Sequence, residues 1–198
     1  MKLNIKNQES YSRLELLLRT FFGWLYIVLP HAFVLFFLGI WSAILTFIAF
    51  WIVLFTGRYP ESMYEYQVGL TRWGLRLNAR VMNLADGYPA FGLNVQDENL
   101  DFDAPYPEKL SRGLLLLRIF FGWLYIGLPH GFLLFFRSIA TFVIVFIAWW
   151  VVLFTGKYPQ SFHEFVTGFL RWQTRVNLYS SFMTDEYPPF TGKAIDTV

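Results

Sequence analysis

Two long apolar stretches dominate the chain, and a shorter amphipathic segment follows each of them. Residues 20–57 contain no Asp, Glu, Lys or Arg, and residues 119–156 contain only Arg137. A helix of this length would extend about 57 Å, whereas the hydrocarbon core of a bilayer is only about 30 Å thick. We therefore expect each stretch to form two membrane-spanning helices joined by a short turn, near residues 38–41 and near residues 137–140.

The Pro-His pairs provide an alternative position for this turn. Pro30 and Pro129 lie within the first predicted helix of each stretch, and Gly127 and Gly131 flank the second pair. Such breakers favour a turn at the second pair, but the first pair has no flanking glycines, so a kinked helix is the other interpretation. Either position gives four spans in two tandem hairpins. The predicted fold class is an all-α polytopic membrane protein.

Arginines recur at helical spacing in the segments that follow the apolar stretches. Residues 61–84 and 160–183 are compatible with helices, and side chains four residues apart share one helical face. We expect amphipathic helices in the headgroup region, with Arg towards lipid phosphate and Trp at the boundary. Glu65 and Glu164 lie two helical turns before Arg72 and Arg171, which predicts two ion pairs. The candidate lipid or anion contacts are Arg19, Arg72, Arg76, Arg80, Arg118, Arg171 and Arg175.

Arg19 and Arg118 have a second interpretation. Each lies at the apolar entry of the first helix, where an arginine can extend its charge to the interface and so mark the membrane boundary. That role needs no bound ligand.

The chain is an internal duplication at an offset of 99 residues. We divide it into a polar N-terminal segment (1–11), repeat 1 (12–95), an acidic, proline-containing linker (96–108) and repeat 2 (109–198). An even number of spans in each copy would make the repeats parallel, related by a pseudo-twofold axis along the membrane normal.

Composition supports a membrane location. Aromatic residues make up 21% of the chain, charged residues only 15%, and the mean hydropathy is +0.42, whereas soluble domains are about one quarter charged. The N-terminus lacks a secretory cleavage pattern, so we expect the first apolar segment to remain as an anchor. With four spans, every Lys and Arg except Arg137 falls on the side of the termini. The positive-inside tendency then predicts cytoplasmic N- and C-termini.

His31 and His130 are candidate cofactor ligands because ionisable residues within a membrane are often functional. They could ligate a metal or haem, hydrogen-bond a quinone or relay a proton. The alternatives are a hydrogen bond to a backbone carbonyl freed by the neighbouring proline, or a position at the distal membrane interface. The chain has no cysteine and no HExxH, GxSxG, P-loop or dinucleotide motif. We therefore predict no catalytic residues, no metal site, no cofactor and no nucleic-acid binding.

Three blocks of sequence occur in both copies: Phe-Thr-Gly-[Arg/Lys]-Tyr-Pro, Arg-Trp-(x2)-Arg and Asp-x-Tyr-Pro-x-Phe. They resemble a bacterial membrane-protein family catalogued as domain of unknown function 4389. Each copy, roughly residues 13–92 and 112–191, is similar to one such domain. The resemblance implies a bacterial origin and a membrane location, here the cytoplasmic (inner) membrane. It implies no activity, cofactor or catalytic residue.

These observations favour a non-enzymatic membrane module. We expect it to bind anionic lipid headgroups and to assemble with itself or as an accessory subunit of a larger membrane complex. The first alternative is a small transporter, channel or lipid-handling protein with a path near the pseudo-twofold axis. The second is a cofactor-binding subunit that uses His31 and His130.

Overall fold

The computed structural model describes residues 1–194, so the last four residues of the predicted second repeat lie outside the described residues. The protein is mostly helical, as predicted. Its elements are, in chain order, β1 (Lys2–Ile5), α1 (Arg13–Gly23), a π-helical turn (Trp24–Val28), α2 (Leu29–Thr56), α3 (Glu61–Val81), β2 (Leu100–Asp103), α4 (Arg112–Gly122), a second π-helical turn (Trp123–Gly127), α5 (Leu128–Thr155) and α6 (Gln160–Ser180).

Each apolar stretch forms one continuous helix. The first long helix (Arg13–Thr56) and the second long helix (Arg112–Thr155) have 44 residues each and are long and apolar enough to cross a membrane. The Ser12 side chain caps the first of them by accepting the backbone N–H of Glu15 at 3.3 Å. Gly57 ends it with a φ of +72°, a left-handed conformation that glycine adopts without steric cost.

The predicted turns within the apolar stretches are therefore wrong. Residues 38–41 and 137–140 lie inside α2 and α5, and two continuous helices replace two hairpins with four spans. A turn is required by length only where a helix crosses the bilayer along its normal. A helix that is supported along its side has no such upper limit on its length.

α3 provides this side support by running back along α2. The Tyr66 hydroxyl donates to the Leu38 carbonyl at 2.8 Å. The Gln67 side-chain amide donates to the Ser42 carbonyl at 2.9 Å and to the Thr46 hydroxyl at 3.0 Å. These bonds lie at the position where the turn was expected, and they join α2 to α3 there.

The Pro-His pairs widen the long helices without reversing the chain. A proline has no N–H, and its ring clashes with the carbonyl four residues earlier. The helix accommodates Pro30 with a π-helical turn, in which the Leu29 N–H bonds to the Trp24 carbonyl five residues back. The second copy does the same beside Pro129. The alternative turn at the Pro-His pairs is likewise wrong.

The elements pack in three layers. The two long helices form the first layer, α3 and α6 form the second, and the strands with the loops after α3 and α6 form the third. Trp73 of α3 bonds to His31 of the first long helix, while Arg72 on the same helix donates to the Phe102 carbonyl of β2 at 3.4 Å. Each second-layer helix is therefore covered on two sides.

The strands show a pseudo-twofold relation between the copies. β1 and β2 are antiparallel, and Leu3 pairs with Phe102, which is its own counterpart at the offset of 99 residues. A twofold axis through this pair exchanges the two strands. The long helices are antiparallel, because the Trp149 indole near the end of the second donates to the Thr20 hydroxyl near the start of the first at 2.8 Å.

The segment predicted as a solvated linker is part of the fold. Leu100 and Phe102 of β2 are buried, at 6% and 4% exposure. The segment reads as polar because its apolar residues alternate with Asp101 and Asp103, which is the pattern of a strand covered on one face. The N-terminal segment 1–11 contains the partner strand β1.

Candidate functional site

The residues shared by both copies meet around the Pro-His pairs. In the second copy, the Trp172 indole donates to His130 Nδ1 at 2.9 Å, and His130 Nε2 lies 3.0 Å from the Tyr187 hydroxyl. That hydroxyl donates to the Tyr125 carbonyl at 2.8 Å. Tyr125 lies four residues before Pro129, so its carbonyl is the one that the proline leaves without a helical partner. We call these three side chains and one carbonyl, with their counterparts in the first copy, the Pro-His chain.

The donors assign the histidine tautomer. An indole nitrogen can only donate, so His130 Nδ1 carries a lone pair and the ring proton lies on Nε2. That proton faces the Tyr187 oxygen, which in turn keeps its own proton for the Tyr125 carbonyl. Both ring nitrogens of a neutral imidazole are thereby used. His130 is 1% exposed and stacks on Phe190 with ring centroids 4.2 Å apart.

The first copy repeats this arrangement with one bond fewer. Trp73 donates to His31 Nδ1 at 2.8 Å, and the Tyr88 hydroxyl donates to the Tyr26 carbonyl at 3.1 Å. His31 is fully buried and stacks on Phe91 at 3.9 Å. Its Nε2 has no hydrogen-bond partner within residues 1–194.

This geometry favours the structural interpretation of both histidines. The freed carbonyl is occupied as expected, but by a tyrosine hydroxyl instead of the histidine. A ring nitrogen that already accepts an indole N–H offers no lone pair to a metal or haem iron. His31 and His130, the candidate cofactor ligands, therefore have no open coordination position at Nδ1.

Arg19 and Arg118 connect the start of each long helix to the loop after the second-layer helix. Arg19 binds Asp86 at 2.8 Å, and Arg118 binds Asp185 at 2.7 Å. The Arg118 guanidinium also lies 3.8 Å from the centre of the Tyr179 ring. Both arginine side chains are almost fully buried.

The other candidate arginines bind carbonyls and carboxylates of the third layer. Arg76 is fully buried and donates to the carbonyls of Gly92 and Val95. The bonds of the remaining members are Arg72 to the Phe102 carbonyl, Arg80 to the Asp97 carboxylate at 2.8 Å, Arg171 to the Leu3 carbonyl at 2.7 Å, and Arg175 to the carbonyls of Thr191 and Lys193 at 3.1 and 2.8 Å.

The expectation that these arginines face lipid phosphate is therefore corrected. The arginine face of each second-layer helix is turned to the strands and loops, which bury it. Five of the seven candidates are buried, and Arg19 and Arg72 are half-buried as whole residues. The predicted ion pair between Glu164 and Arg171 is present. Within the described residues, no salt bridge joins Glu65 to Arg72.

A groove of about 590 Å³ lies between α3 and α6. Asn78 and its counterpart Asn177 both line it, as do Gly74 and its counterpart Gln173. Equivalent positions of both copies line one groove only if it lies on the pseudo-twofold axis, so we call it the axis groove. Its full lining carries no charged side chain: Ser42, Gln67, Leu70, Thr71, Gly74, Leu75, Asn78, Leu134, Leu170, Gln173, Thr174, Val176, Asn177, Ser180, Ser181 and Met183.

A second cavity of about 420 Å³ adjoins the axis groove in the second copy. We call it the glycine crevice because Gly122, Gly127 and Gly131 line it; its other lining residues are Arg118, Ile119, Trp123, Ile126, Leu134, Val176, Ser180 and Phe182. Leu134, Val176 and Ser180 line both cavities.

Sequence reasoning missed the residues of the axis groove. Gln173, Asn177 and Ser180 recur at spacings of three and four, which places them on one face of α6. The same spacing predicts a solvated face, so it offered no sign that two such faces meet. The glycines at 127 and 131, which the first copy lacks, were visible in the sequence but were interpreted only as breakers.

The fold and these sites define an internally duplicated helical protein with two long apolar helices and a polar groove on its pseudo-twofold axis. The sequence profile of the family described as Domain of unknown function (DUF4389) matches residues 13–92 and 115–192. The chain belongs to this family and contains two tandem copies of its domain. Comparisons with curated proteins and with solved structures found no match.

Proposed function

We propose that the protein is a non-enzymatic membrane module whose long helices lie lengthwise in one leaflet of the bacterial cytoplasmic membrane. The observation that supports this orientation best is the sidedness of the molecule. All but six of the exposed large hydrophobic residues in the described chain belong to the two long helices. The polar strands and loops lie on the opposite side of α3 and α6.

The alternative, in which each long helix crosses the bilayer, conflicts with this sidedness. α3 and the third layer follow the first long helix along its length, so a crossing helix would carry them into the hydrocarbon. Asp97, Glu98, Asp101 and Asp103 of that layer would then lie within the membrane, where a charged side chain is costly. A helix of 44 residues also extends about 66 Å, roughly twice the hydrocarbon thickness.

The lengthwise orientation keeps both termini on one side. β1 packs on α6, and residues 191–193 bind Arg175 of the same helix, on the side away from the long helices. In this proposal that side is the cytoplasmic one. The internal hydrogen bonds of the repeated polar residues support a scaffold role, because they serve the fold itself.

The natural absence of cysteine permits a direct test with single-cysteine variants. Leu14→Cys, Phe36→Cys and Phe55→Cys lie at the start, middle and end of the first long helix, each at least 63% exposed. Nitroxide labels at all three should show the same depth in vesicles by oxygen and nickel accessibility. Glu98→Cys, in the third layer, should report water. A deep middle position with both ends at opposite interfaces would contradict the proposal.

Assembly is the second part of this proposal. Single molecules would leave a broad aromatic surface on each long helix, and such surfaces are suited to packing against other membrane proteins. Native mass spectrometry from mild detergent should show a homo-oligomer or a stable partner subunit. A monomer alone would leave the scaffold role without support.

The axis groove favours a second candidate function, a lipid-handling protein with its binding site on the pseudo-twofold axis. The groove is the specific observation behind it, since a purely structural module needs no polar cavity there.

A further inference from the structure

The axis groove places unpaired polar groups between two apolar helices. The side chains of Gln173 and Asn177 make no hydrogen bond to residues 1–194, and both are exposed. Ser42 of α2 and Leu134 of α5 also line the groove, so it lies between the two long helices. An amide that lies in hydrocarbon without a hydrogen bond is strongly disfavoured. A polar ligand that reaches the groove through the membrane would remove this cost.

The glycine crevice extends this polar site with an apolar one. Ile119, Trp123 and Gly131 are exposed at its surface, within one of the two long helices that together carry most of the exposed large hydrophobic residues. The first copy has Val28 and Ala32 at the positions of Gly127 and Gly131, so side chains occupy the corresponding space there. The two cavities share Leu134, Val176 and Ser180, and each has the volume of a small-molecule site.

The charges limit what the site can bind. The axis groove has no charged lining residue, and a phosphate there would lose its hydration without a cation to compensate. Arg118, at the glycine crevice, is already bound to Asp185 and the Tyr179 carbonyl. Hydroxyl groups, in contrast, can both donate to and accept from the amides of Gln173 and Asn177.

We propose that the axis groove and the glycine crevice together bind one membrane lipid with an uncharged, hydroxyl-bearing headgroup, of the diacylglycerol class. The headgroup binds Gln173 and Asn177, and one acyl chain lies beside Gly127 and Gly131. This inference rests on the membrane location in the proposed function. It adds a ligand and assigns the site to the second copy.

The test uses the full chain in detergent micelles with a diacylglycerol that carries a photoreactive diazirine in one acyl chain. A phosphatidylglycerol with the same chain is the comparison probe. Irradiation should label α5 or α6 with diacylglycerol at least tenfold more than with phosphatidylglycerol. Gly127→Val/Gly131→Ala, which restores the residues of the first copy, should reduce labelling at least tenfold, and Gln173→Leu/Asn177→Leu should reduce it similarly.

The glycine variant is designed to fold. A Cβ at Gly131 meets nothing within 4 Å, and one at Gly127 comes no closer than 3.8 Å to the Gly122 carbonyl. Gly39→Ala is the matched control, since its Cβ also enters open space in a long helix but lies outside both cavities. It should label like the unmodified protein.

Three results would overturn the proposal: absence of labelling, undiminished labelling of the glycine variant, or stronger labelling by phosphatidylglycerol. Membrane association is measured separately, as the fraction retained in carbonate-washed membranes. A protein that stays in the membrane but does not label refutes the lipid site alone. A protein that leaves the membrane refutes the proposed function as well.

Discussion

The Pro-His chain predicts that two equivalent tyrosines differ in their contribution to stability. Tyr187→Phe removes one hydroxyl that serves two partners, His130 Nε2 and the Tyr125 carbonyl. Tyr88→Phe removes a hydroxyl that serves only the Tyr26 carbonyl. The two substitutions are chemically identical and occupy equivalent positions, so each is the control for the other.

The magnitude follows from the groups that lose their partners. An unsatisfied buried polar group costs about 1–3 kcal/mol. His130 is 1% exposed, so the loss of its partner should cost about 1–3 kcal/mol. The Tyr125 carbonyl lies nearer the surface and should contribute about 1 kcal/mol. We expect Tyr187→Phe to lower the free energy of unfolding by about 2–4 kcal/mol and Tyr88→Phe by about 1 kcal/mol.

The assay is reversible unfolding in mixed micelles, followed by tryptophan fluorescence. Nitrogen-15 NMR of the histidine side chains tests the same reasoning independently, because His130 should be the neutral tautomer with its proton on Nε2. Equal destabilisation by the two substitutions, or a proton on His130 Nδ1, would refute the proposed chain of donors.

Three further predictions concern other parts of the fold. Burial lowers the pKa of His163, so the unfolded chain takes up this proton first as the pH falls below about 6.5. The stability that the neutral His163 contributes is then present above that pH and lost below it. His163→Tyr introduces the residue type of the first copy. This substitution should flatten the pH dependence of the unfolding free energy between pH 7.5 and 5.5. Gly192→Ala should destabilise by about 1–3 kcal/mol because its Cβ would overlap the backbone of α6, whereas Gly74→Ala, which meets open space, should not lower the unfolding midpoint. Arg118→Met should lower the free energy of unfolding by about 3–5 kcal/mol in the same assay, because it leaves the Asp185 carboxylate without its cation. The double variant Arg118→Met/Asp185→Asn should recover part of this loss. A double variant that recovers no stability would contradict the pairing.

The helices were largely predictable because their signals are local. The apolar stretches, the Ser12 cap and the Gly57 stop lie within a few residues of the helix ends that they determine. α3 and α6 begin at the first residue of the predicted segments 61–84 and 160–183 and end three residues before their last. The strands were not predicted, since four residues with alternating burial look like any polar linker until a partner strand is known.

The candidate sites were less predictable, because the same side chain serves different purposes in different surroundings. Arg76 has the spacing of a headgroup contact, yet it binds two carbonyls of its own loop. His31 and His130 were singled out as candidate cofactor ligands, whereas in the structure each accepts a hydrogen bond from a tryptophan 42 residues away, on α3 or α6. Spacing along a helix shows which residues share a face; it does not show what covers that face.

The sequence by itself determined the duplication, the positions of the two apolar stretches and the helical character of the segments that follow them. It did so because helix formation and hydropathy depend on neighbours within one or two turns. Only the tertiary structure decided that each apolar stretch stays helical without a chain reversal, that the arginines point inwards and that two polar faces meet on the pseudo-twofold axis. These features depend on contacts between segments far apart in the chain, where the burial of one face is set by the element that packs against it.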